Sequence, residues 1–262
     1  MSTSPTEKLL LDICEHTAVI TINNPPANTW DAESLIGLRQ IVSELNANRD
    51  IYALVITGSG DKFFSAGADL KMFASGDKAV AQDIGLKFGQ AFEALADFRG
   101  VSIAAVNGFA MGGGLECAMA CDIRIVERQA KLALPEAKVG LLPCAGGTQR
   151  LTALVGPGWA KRMILCGERI DAETAQRIGL AEEVVDSGEA KSAAMNLAAS
   201  VAAQSPVAVS FCKELIHEAR DAVMPKGLIL ERERFIQLFD TADQKEGVNA
   251  FLEKRQPEWK NA

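Results

Sequence analysis

Two glutamates that lie close together in the sequence are the first candidates for chemistry. Glu116 comes two residues after a run of three glycines, and Glu136 follows 20 residues later, directly after a proline. Since the chain has only two histidines, His16 and His217, carboxylates, thiols or backbone groups are left to carry an acid–base reaction. Partial burial would raise the pKa of one glutamate toward neutrality, where it can both accept and donate a proton. The alternative, which the sequence leaves open, is that each glutamate only complements a helix dipole.

The glycine run lies inside residues 103–123 (IAAVNGFAMGGGLECAMACDI), which predict a strand that turns directly into a helix. The first turn of a helix carries unpaired N–H groups and a partial positive charge, and glycines let a ligand approach them closely. Two nucleotide-binding motifs do not fit, because Cys117 stands where a dinucleotide fingerprint needs its third glycine and no Gly-Lys-Ser/Thr follows. An oxyanion hole is the other use of such N–H groups. Tight helix–strand packing is the purely structural alternative.

An oxyanion hole usually has two donors, and the candidate for the second is the segment FFSAGADLK, residues 63–71. This segment follows a predicted strand. Ala66, Gly67 and Ala68 are small enough for a ligand to lie against the backbone. An ordinary loop between a strand and a helix is the alternative for this segment.

The segments around these residues alternate between strand-like and helix-like patterns. Asp31 is a candidate N-cap for a helix whose apolar positions recur at intervals of three and four residues. A second helix is predicted over residues 79–98. Such alternation indicates an α/β domain with largely parallel strands. The predicted strands cover residues 9–14, 18–23, 52–57, 102–106, 123–126 and 131–134, of which the first two form a hairpin.

The pattern changes from about residue 188 onward. Apolar residues there recur at helical spacing with no strand pattern, which predicts three or four helices. No Pro/Ser/Gly-rich linker separates this part from the rest, and the sequence shows no internal repeat. The apolar positions of these helices include Val207, Phe211, Leu215, Ala219, Ile229, Phe235, Ile236, Phe239, Val248, Phe251 and Leu252.

Composition excludes several classes of protein. Of the 262 residues, 48% are apolar and 23% are charged, which are globular values and exclude disordered and low-complexity chains. The net charge is −7 and only 6% of the residues are aromatic, so we expect no nucleic-acid partner. No stretch of about 18 apolar residues is free of charges, and no membrane association is therefore expected.

The six cysteines are predicted to be free thiols in a reducing, cytoplasmic compartment, because residues 1–8 lack the basic and apolar regions of a secretory signal. Cys117 and Cys121 are four residues apart on a predicted helix, a spacing that could suit a metal. No other cysteine or histidine lies near them in sequence, so a buried structural pair and no metal site is the prediction. Cys144 has no neighbouring histidine in sequence that would activate it as a nucleophile.

With these motifs the chain resembles the crotonase (enoyl-CoA hydratase/isomerase) superfamily, and within it the hydratases that use two glutamates. The resemblance implies an α/β fold, a crotonase-like spiral of ββα repeats over residues 1–190 with a C-terminal helical region. That region, residues 191–262, would build a homotrimer or homohexamer. The matching runs are FSAGADLK from residue 64, VNGFAMGGGLECAMACDIRI from residue 106, PEAKVGLLPCAGGTQRL from residue 135 and FDTADQKEGVNAFLEKRQPEW from residue 239.

The resemblance also implies roles for individual residues. The N–H groups of Ala68 and Gly113 would bind a thioester oxygen, and Glu116 and Glu136 would hold the water that adds across a double bond. The implied reaction is reversible hydration of a trans-2-enoyl-CoA to a 3-hydroxyacyl-CoA in fatty-acid or related acyl-CoA breakdown. It would need no cofactor besides the coenzyme A thioester substrate. The alternatives are a Δ3–Δ2-enoyl-CoA isomerase, a hydratase of branched acyl-CoA, and a non-catalytic acyl-CoA-binding protein.

Binding of the polyanionic coenzyme A by an acidic protein requires a local basic patch. By resemblance, the ligand would lie against the turn at residues 66–68, with lysines on either side, although solvated surface lysines are an equal alternative. Lys254 and Arg255, near the C-terminus of a neighbouring subunit, could assist. The implied coenzyme A contacts are Lys62, Ala66, Ala68, Asp69, Leu70 and Lys71.

The sequence departs from the family pattern near the second glutamate. Ala133 and Leu134 stand where the family often has Gly-Gln before Pro-Glu, and Cys144 stands where a glycine is usual. An apolar and a bulkier side chain at these places would reshape the site, so they are expected to narrow substrate choice or to reposition Glu136.

Overall fold

The computed structural model describes residues 4–74, 77–221 and 240–262. The helical positions predicted at Ile229, Phe235, Ile236 and Phe239 lie outside these residues. The strands, in chain order, are β1 (Leu9–Cys14), β2 (Thr17–Ile22), β3 (Ala53–Gly58), β4 (Phe63–Ser65), β5 (Val101–Val106), β6 (Phe109–Met111), β7 (Ile123–Glu127), β8 (Lys131–Ala133), β9 (Ile170–Asp171) and β10 (Glu183–Val185). The helices are α1 (Ala32–Ala47), α2 (Lys78–Ala96), α3 (Gly113–Ala120), α4 (Gly147–Leu165), α5 (Ala172–Arg177), α6 (Ala190–Ala202), α7 (Pro206–Asp221) and α8 (Ala242–Glu253).

The strands form two sheets. The larger has the order β1-β2-β3-β5-β7-β10, and the smaller has the order β4-β6-β8-β9. Pairing is parallel except for the β1–β2 hairpin and the β8–β9 pair. The predicted hairpin, the six predicted strands and the largely parallel pairing are therefore confirmed.

Three turns of chain repeat the same path through these sheets. In each, a strand of the larger sheet is followed by a strand of the smaller sheet and then by a helix: β3-β4-α2, β5-β6-α3 and β7-β8-α4. This confirms the ββα repeats that the family resemblance implied. The sequence shows no repeat because β4, β6 and β8 have only three residues each, too few for a recognisable period-two pattern.

Local signals explain where two of the helices begin. Asp31 is confirmed as the N-cap of α1, since its side chain accepts a hydrogen bond from the Ser34 N–H while the Ser34 hydroxyl accepts one from the Asp31 N–H. Pro135 precedes a single 3₁₀ turn, Glu136–Val139, and not an α-helix, although a proline commonly stands in the first turn of one. Gly140, in the left-handed conformation with φ of 74°, is the C-cap that ends this four-residue turn.

Alternating side chains of the larger sheet face two different layers. Val19, Val55 and Ile103 point to one side, where they pack with the alanines of α6, Ala190 among them. The intervening apolar side chains join the main core with α1 and α2. Among the described residues no single helix could span a membrane, although α6 and Pro206–Ala219, bent by 110°, have the required length and composition together.

A buried ion pair ties α7 to the core. The Lys213 ammonium lies 2.7 Å from the Asp122 carboxylate and donates to the Phe98 and Gly100 carbonyls at 2.6 and 3.1 Å. Ser102 donates to the same carboxylate from its N–H and its hydroxyl. Burial alone would raise the pKa of Asp122, but hydrogen bonds from its cationic and polar neighbours hold it below its usual value.

Lys213→Met is expected to lower the free energy of unfolding by about 2 kcal/mol, because the largely buried Asp122 carboxylate loses its ammonium partner and keeps only the Ser102 donors and the His217 imidazole, 3.6 Å away. Urea unfolding measures this difference. Lys191→Met, which removes a lysine from the exposed face of α6, is the matched control and should change stability by less than about 0.5 kcal/mol. Equal urea midpoints for the two variants would show that the ion pair does not anchor α7.

Candidate active site

The predicted site residues come from equivalent places in the three repeats. Ala68 follows β4, Gly113 follows β6, and Glu136 follows β8. These three strands are parallel neighbours, with Met111 of β6 paired to Ala133 of β8. Because the carboxyl ends of parallel strands meet at one edge of a sheet, the fold brings the three residues together.

The backbone around Ala68 turns its N–H toward α3. The Gly67 carbonyl accepts a hydrogen bond from the Trp30 N–H, and the Asp69 N–H donates to the Trp30 carbonyl, both at 2.8 Å. Since successive N–H groups of an extended chain point to opposite sides, the N–H of Ala68 points away from Trp30. Gly67, with φ of 93°, makes the approach possible, because a Cβ there would lie 2.6 Å from the Met111 carbonyl oxygen and 3.2 Å from the Gly113 nitrogen.

The second N–H belongs to the first residue of α3. Gly112 is the N-cap, with φ of 52°, and Gly113 begins the helix, so the Gly113 N–H has no acceptor within it. A Cβ built on Gly113 would lie 3.7 Å from the Ala68 nitrogen. The two backbone nitrogens named from the sequence thus lie close together, which is the placement that an oxyanion hole requires.

Glu116 is held in one orientation inside the protein. Only 3% of it is exposed, and its Oε1 accepts hydrogen bonds from the Ala145 and Gly147 N–H groups, both at 2.8 Å. Burial raises the pKa of Glu116 above its usual value, while the two N–H donors and the positive charge of Arg150 oppose that rise. The turn that supplies these donors was missed from the sequence, where the adjacent Gly146 and Gly147 were its signal.

Glu136 has a different environment. Both of its carboxylate oxygens are buried, and neither has a hydrogen-bond partner among the described residues. Burial, with a further contribution from the charge of Glu116, raises the pKa of Glu136 to about 7. Its Oε1 lies 3.2 Å from the place that a Cβ of Gly112 would occupy, so the carboxylate adjoins the start of α3. The two glutamates therefore lie in one site with unequal affinities for a proton.

The departures from the family pattern lie beside these carboxylates. Cys144 is exposed as a residue, but partial desolvation of its thiol, with the charges of Glu116 and Glu136, raises the pKa of that thiol to about 11. The thiol is therefore protonated at neutral pH, which agrees with the prediction that Cys144 is not a nucleophile. Leu134 is wholly buried in the main core. The effect of the two residues on substrate choice stays a prediction.

The expected coenzyme A contacts surround the Ala68 turn. Asp69 caps the 3₁₀ turn Leu70–Phe73 by accepting the Lys71 N–H at 3.1 Å. Leu70 and Lys71 are exposed on this turn, and Lys62 is exposed on the other side, with its ammonium 5.4 Å from the centre of the Phe63 ring. Ala66 fixes the segment by donating its N–H to the Ala27 carbonyl at 2.9 Å.

Two further expectations concern Arg255 and the cysteines. The Arg255 guanidinium pairs with Glu246 and Glu253 of its own chain at 2.6 Å, so a phosphate would have to compete with two carboxylates.

All six cysteines are free, and the predicted burial of Cys117 and Cys121 is confirmed. In the parts of the chain that the structure describes, no group of three or more His, Cys, Asp or Glu side chains is placed to hold a metal ion.

Comparison with known proteins agrees with this geometry. The family described as enoyl-CoA hydratase/isomerase matches residues 12–262. The short-chain-enoyl-CoA hydratase of Clostridium acetobutylicum is 38% identical over 242 residues, 92% of this chain and 93% of the relative. The crotonyl-CoA hydratase of Syntrophomonas wolfei is 38% identical over 250 residues, 95% of this chain and 96% of the relative. The chain therefore belongs to the enoyl-CoA hydratase/isomerase family.

The fold agrees as well. The structure of Pseudomonas aeruginosa DspI superposes with a TM-score of 0.95 at 69% sequence identity, covering 97% of each chain. The resemblance seen in the sequence motifs is thus confirmed, and the architecture is that of this family.

The pKa of Glu136 predicts a pH-dependent stability. Because the folded pKa of about 7 exceeds the ordinary value of 4.5, the stabilising contribution of the protonated side chain is present below pH 4.5 and is lost as the pH rises through 7. Glu136→Gln, which is neutral at every pH, should therefore melt at a higher temperature than the wild type at about pH 8.5 and at a similar temperature at about pH 4.5.

Thermal melts at the two pH values test this expectation. Glu183→Gln, on the exposed side of β10, is the matched control and should show no such pH-dependent gain. A difference between Glu136→Gln and the wild type that is the same at both pH values would contradict the raised pKa.

Proposed function

We propose that the protein is an enoyl-CoA hydratase that adds water reversibly to a trans-2-enoyl-CoA and gives a 3-hydroxyacyl-CoA. The observation that carries this proposal is that the backbone nitrogens of Ala68 and Gly113 lie close together, in a site that also holds the buried Glu116 and the half-buried Glu136 with its buried carboxylate oxygens. The N–H groups would bind the thioester carbonyl, and the two glutamates would hold the water that adds to the double bond. A protein that only binds acyl-CoA would have no use for the unpartnered Glu136.

The two N–H donors would act on the thioester. Attack of water at C3 moves negative charge through the double bond onto the thioester oxygen, which gives an enolate. Two fixed donors, one of them at a helix N-terminus, stabilise that charge without reorganising. Removing one donor of this kind typically costs roughly 10²–10³ in rate.

The unequal glutamates would divide the proton transfers. Glu116, fixed through Oε1 by two N–H groups, is the carboxylate more readily ionised, and it takes a proton from the attacking water. Glu136, with a pKa of about 7, still holds a proton in about half of the molecules near neutrality, and it donates that proton to C2. The sum of the two transfers is one water added across the double bond, with the protons returned by exchange with solvent.

The substrate and assembly follow from the same proposal. Coenzyme A would bind at the turn around Ala68 with Lys62 and Lys71 near its phosphates, and no further cofactor is needed. The names of the two relatives favour a short acyl chain.

We propose a homotrimer or homohexamer built in part by residues 191–262. Exposed Val139 and Leu142, which follow Glu136, are apolar surface that such an assembly would cover.

The proposal is tested by incubating the protein with crotonyl-CoA and following the loss of conjugated-enone absorbance. Glu116→Gln and Glu136→Gln should each lower kcat by roughly 10²–10⁴-fold, the usual contribution of a general acid or base. Because Glu116 must be ionised and Glu136 protonated, kcat/KM should fall at acid pH and should also fall as the pH rises through about 7. Glu183→Gln should behave as the wild type.

The alternatives give different results in the same assay. A protein that leaves crotonyl-CoA unchanged but converts a 3-enoyl-CoA to its 2-enoyl isomer is an isomerase, since moving a proton requires only one base. Binding of both thioesters without reaction identifies a non-catalytic protein.

Gly113→Val tests the oxyanion hole. A Cβ at Gly113 would lie 3.0 Å from Cε1 of Phe88 and 3.7 Å from the Ala68 nitrogen, so the larger side chain enters the space between the two donors. We expect hydration of crotonyl-CoA to fall by at least about 10²-fold, with the far-UV circular dichroism of the wild type. Gly158→Val, where a Cβ meets nothing within 4 Å, is the control. Full activity of the folded Gly113→Val protein would contradict the assignment.

A further inference from the structure

Arg150 packs against the turn that precedes α4. Its Nη1 donates to the Ala145 carbonyl at 2.9 Å, and its backbone N–H donates to the Gly146 carbonyl at 2.7 Å. A Cβ at Gly146 would lie 2.4 Å from Nη1 and 3.1 Å from Cζ. The guanidinium therefore lies directly over the Cα of Gly146, and glycine is required there both by this contact and by its φ of 99°.

The same turn binds the first glutamate of the site. Ala145 donates its N–H to Glu116 Oε1 and accepts at its carbonyl from Arg150, while Gly147 donates a second N–H to the same oxygen. One residue thus links the carboxylate to the guanidinium through its backbone. Movement of the Ala145 carbonyl would also move the N–H groups that orient Glu116.

The charges are arranged to match. A cation in the first turn of a helix opposes the helix dipole, so the place of Arg150 in α4 is unfavourable unless an anion lies nearby. Glu116 lies there, and the positive charge of Arg150 opposes the rise in the Glu116 pKa that burial causes. The other ionisable groups that act on this carboxylate, among the described residues, are Glu136 from its 3₁₀ turn and the Cys144 thiol from the loop before α4.

We propose that Arg150 is a positioning residue for Glu116: its guanidinium fixes the Ala145 carbonyl and thereby the two N–H groups that hold the carboxylate. The kinetic part of this proposal rests on the proposed hydratase function, in which Glu116 activates water. The positioning of Glu116 by Arg150 does not rest on that function, because the hydrogen bonds of Arg150, Ala145 and Gly147 are present without substrate.

Three variants separate position from charge. Arg150→Met removes both the hydrogen bond to the Ala145 carbonyl and the charge, whereas Arg150→Lys keeps the charge without the planar fork of donors. Arg162→Met is the control, because it removes a charge from an exposed place on the same helix, where Arg162 pairs with Glu168. Arg150→Met should lower kcat for crotonyl-CoA by about 10²-fold, the usual cost of a displaced catalytic group, with little change in KM. Its acid limb of kcat/KM should move to higher pH, because Glu116 loses a cation that favours its ionised form.

Arg150→Lys should move the acid limb less than Arg150→Met does, because it keeps the charge, while kcat stays reduced. Arg162→Met should match the wild type in both. Arg150→Gln, uncharged but still a donor, serves if Arg150→Met does not fold, and its acid limb should move as well. Wild-type kcat and pH profile in the uncharged variants would overturn the proposal. Equal losses of kcat in the Lys and uncharged variants, with no shift of the acid limb, would indicate general loosening of the turn and would overturn it too.

A measurement without turnover separates this proposal from the proposed function. Infrared difference titration of the Glu116 carboxyl band, identified by its absence in Glu116→Gln, gives the pKa of that group directly. The pKa should rise most in Arg150→Met or Arg150→Gln, which lose the charge, and less in Arg150→Lys, which keeps the charge but loosens the N–H donors that also lower this pKa. It should equal the wild-type value in Arg162→Met. If the wild type fails to hydrate crotonyl-CoA, the proposed function is wrong, while this titration still decides the role of Arg150, which an unchanged pKa would refute.

Discussion

The parallel pairing of β4, β6 and β8 is the constraint on which the rest of the site depends. Because these strands are neighbours in one small sheet, the chain leaves each of them at the same edge. The residues that follow are then Ala68, Gly113 and Glu136, one from each ββα repeat. The site requires no long loop to bring its parts together, and the error in their relative position is limited by the rigidity of the sheet.

Backbone hydrogen bonds and backbone conformations set the positions of the two N–H groups of the site. Trp30 binds the residues on both sides of Ala68, which sets the direction of that N–H, and the start of α3 sets the direction of the other. Glycines at 67 and 112 take backbone conformations that other residues rarely adopt, and they permit the close approach of the two segments. In the proposed mechanism a shortage of histidine is no obstacle, because the donors would come from the main chain and the proton carriers would be two carboxylates.

The two carboxylates show how one site can hold an acid and a base. Burial raises the pKa of both Glu116 and Glu136, but Glu116 receives two N–H donors from a neighbouring turn and the charge of a nearby guanidinium, which oppose the effect. Glu136 has only its own backbone N–H to oppose it, and the charge of Glu116 adds to it, so its ionised form is costly in this largely buried site. In the proposed mechanism this cost falls on the group that would hold a proton near neutral pH, and functional sites often contain groups with pKa values shifted in this way.

Elements of the fold and site could be predicted where their signal lies in a short, continuous stretch of the sequence. The cap at Asp31, the buried strands and the glycine run before Glu116 have local signatures, and all appear where they were expected. The three-residue strands β4 and β6 and the turn at Ala145 do not, because their positions are set by pairing and by contacts with residues distant in sequence. The proximity of Glu136 to Glu116 belongs to the same class, since only the register of β6 and β8 brings them together.

In the proposed mechanism the N–H groups of Ala68 and Gly113 polarise the thioester carbonyl of the substrate. The most direct test is the infrared stretching frequency of that carbonyl in crotonyl-CoA labelled with ¹³C at C1 and bound to the Glu116→Gln/Glu136→Gln double variant, in which turnover is suppressed. We expect the band to move to lower wavenumber than in free crotonyl-CoA, because two donors lengthen the C=O bond. A bound thioester whose carbonyl frequency equals that of the free substrate would contradict the account.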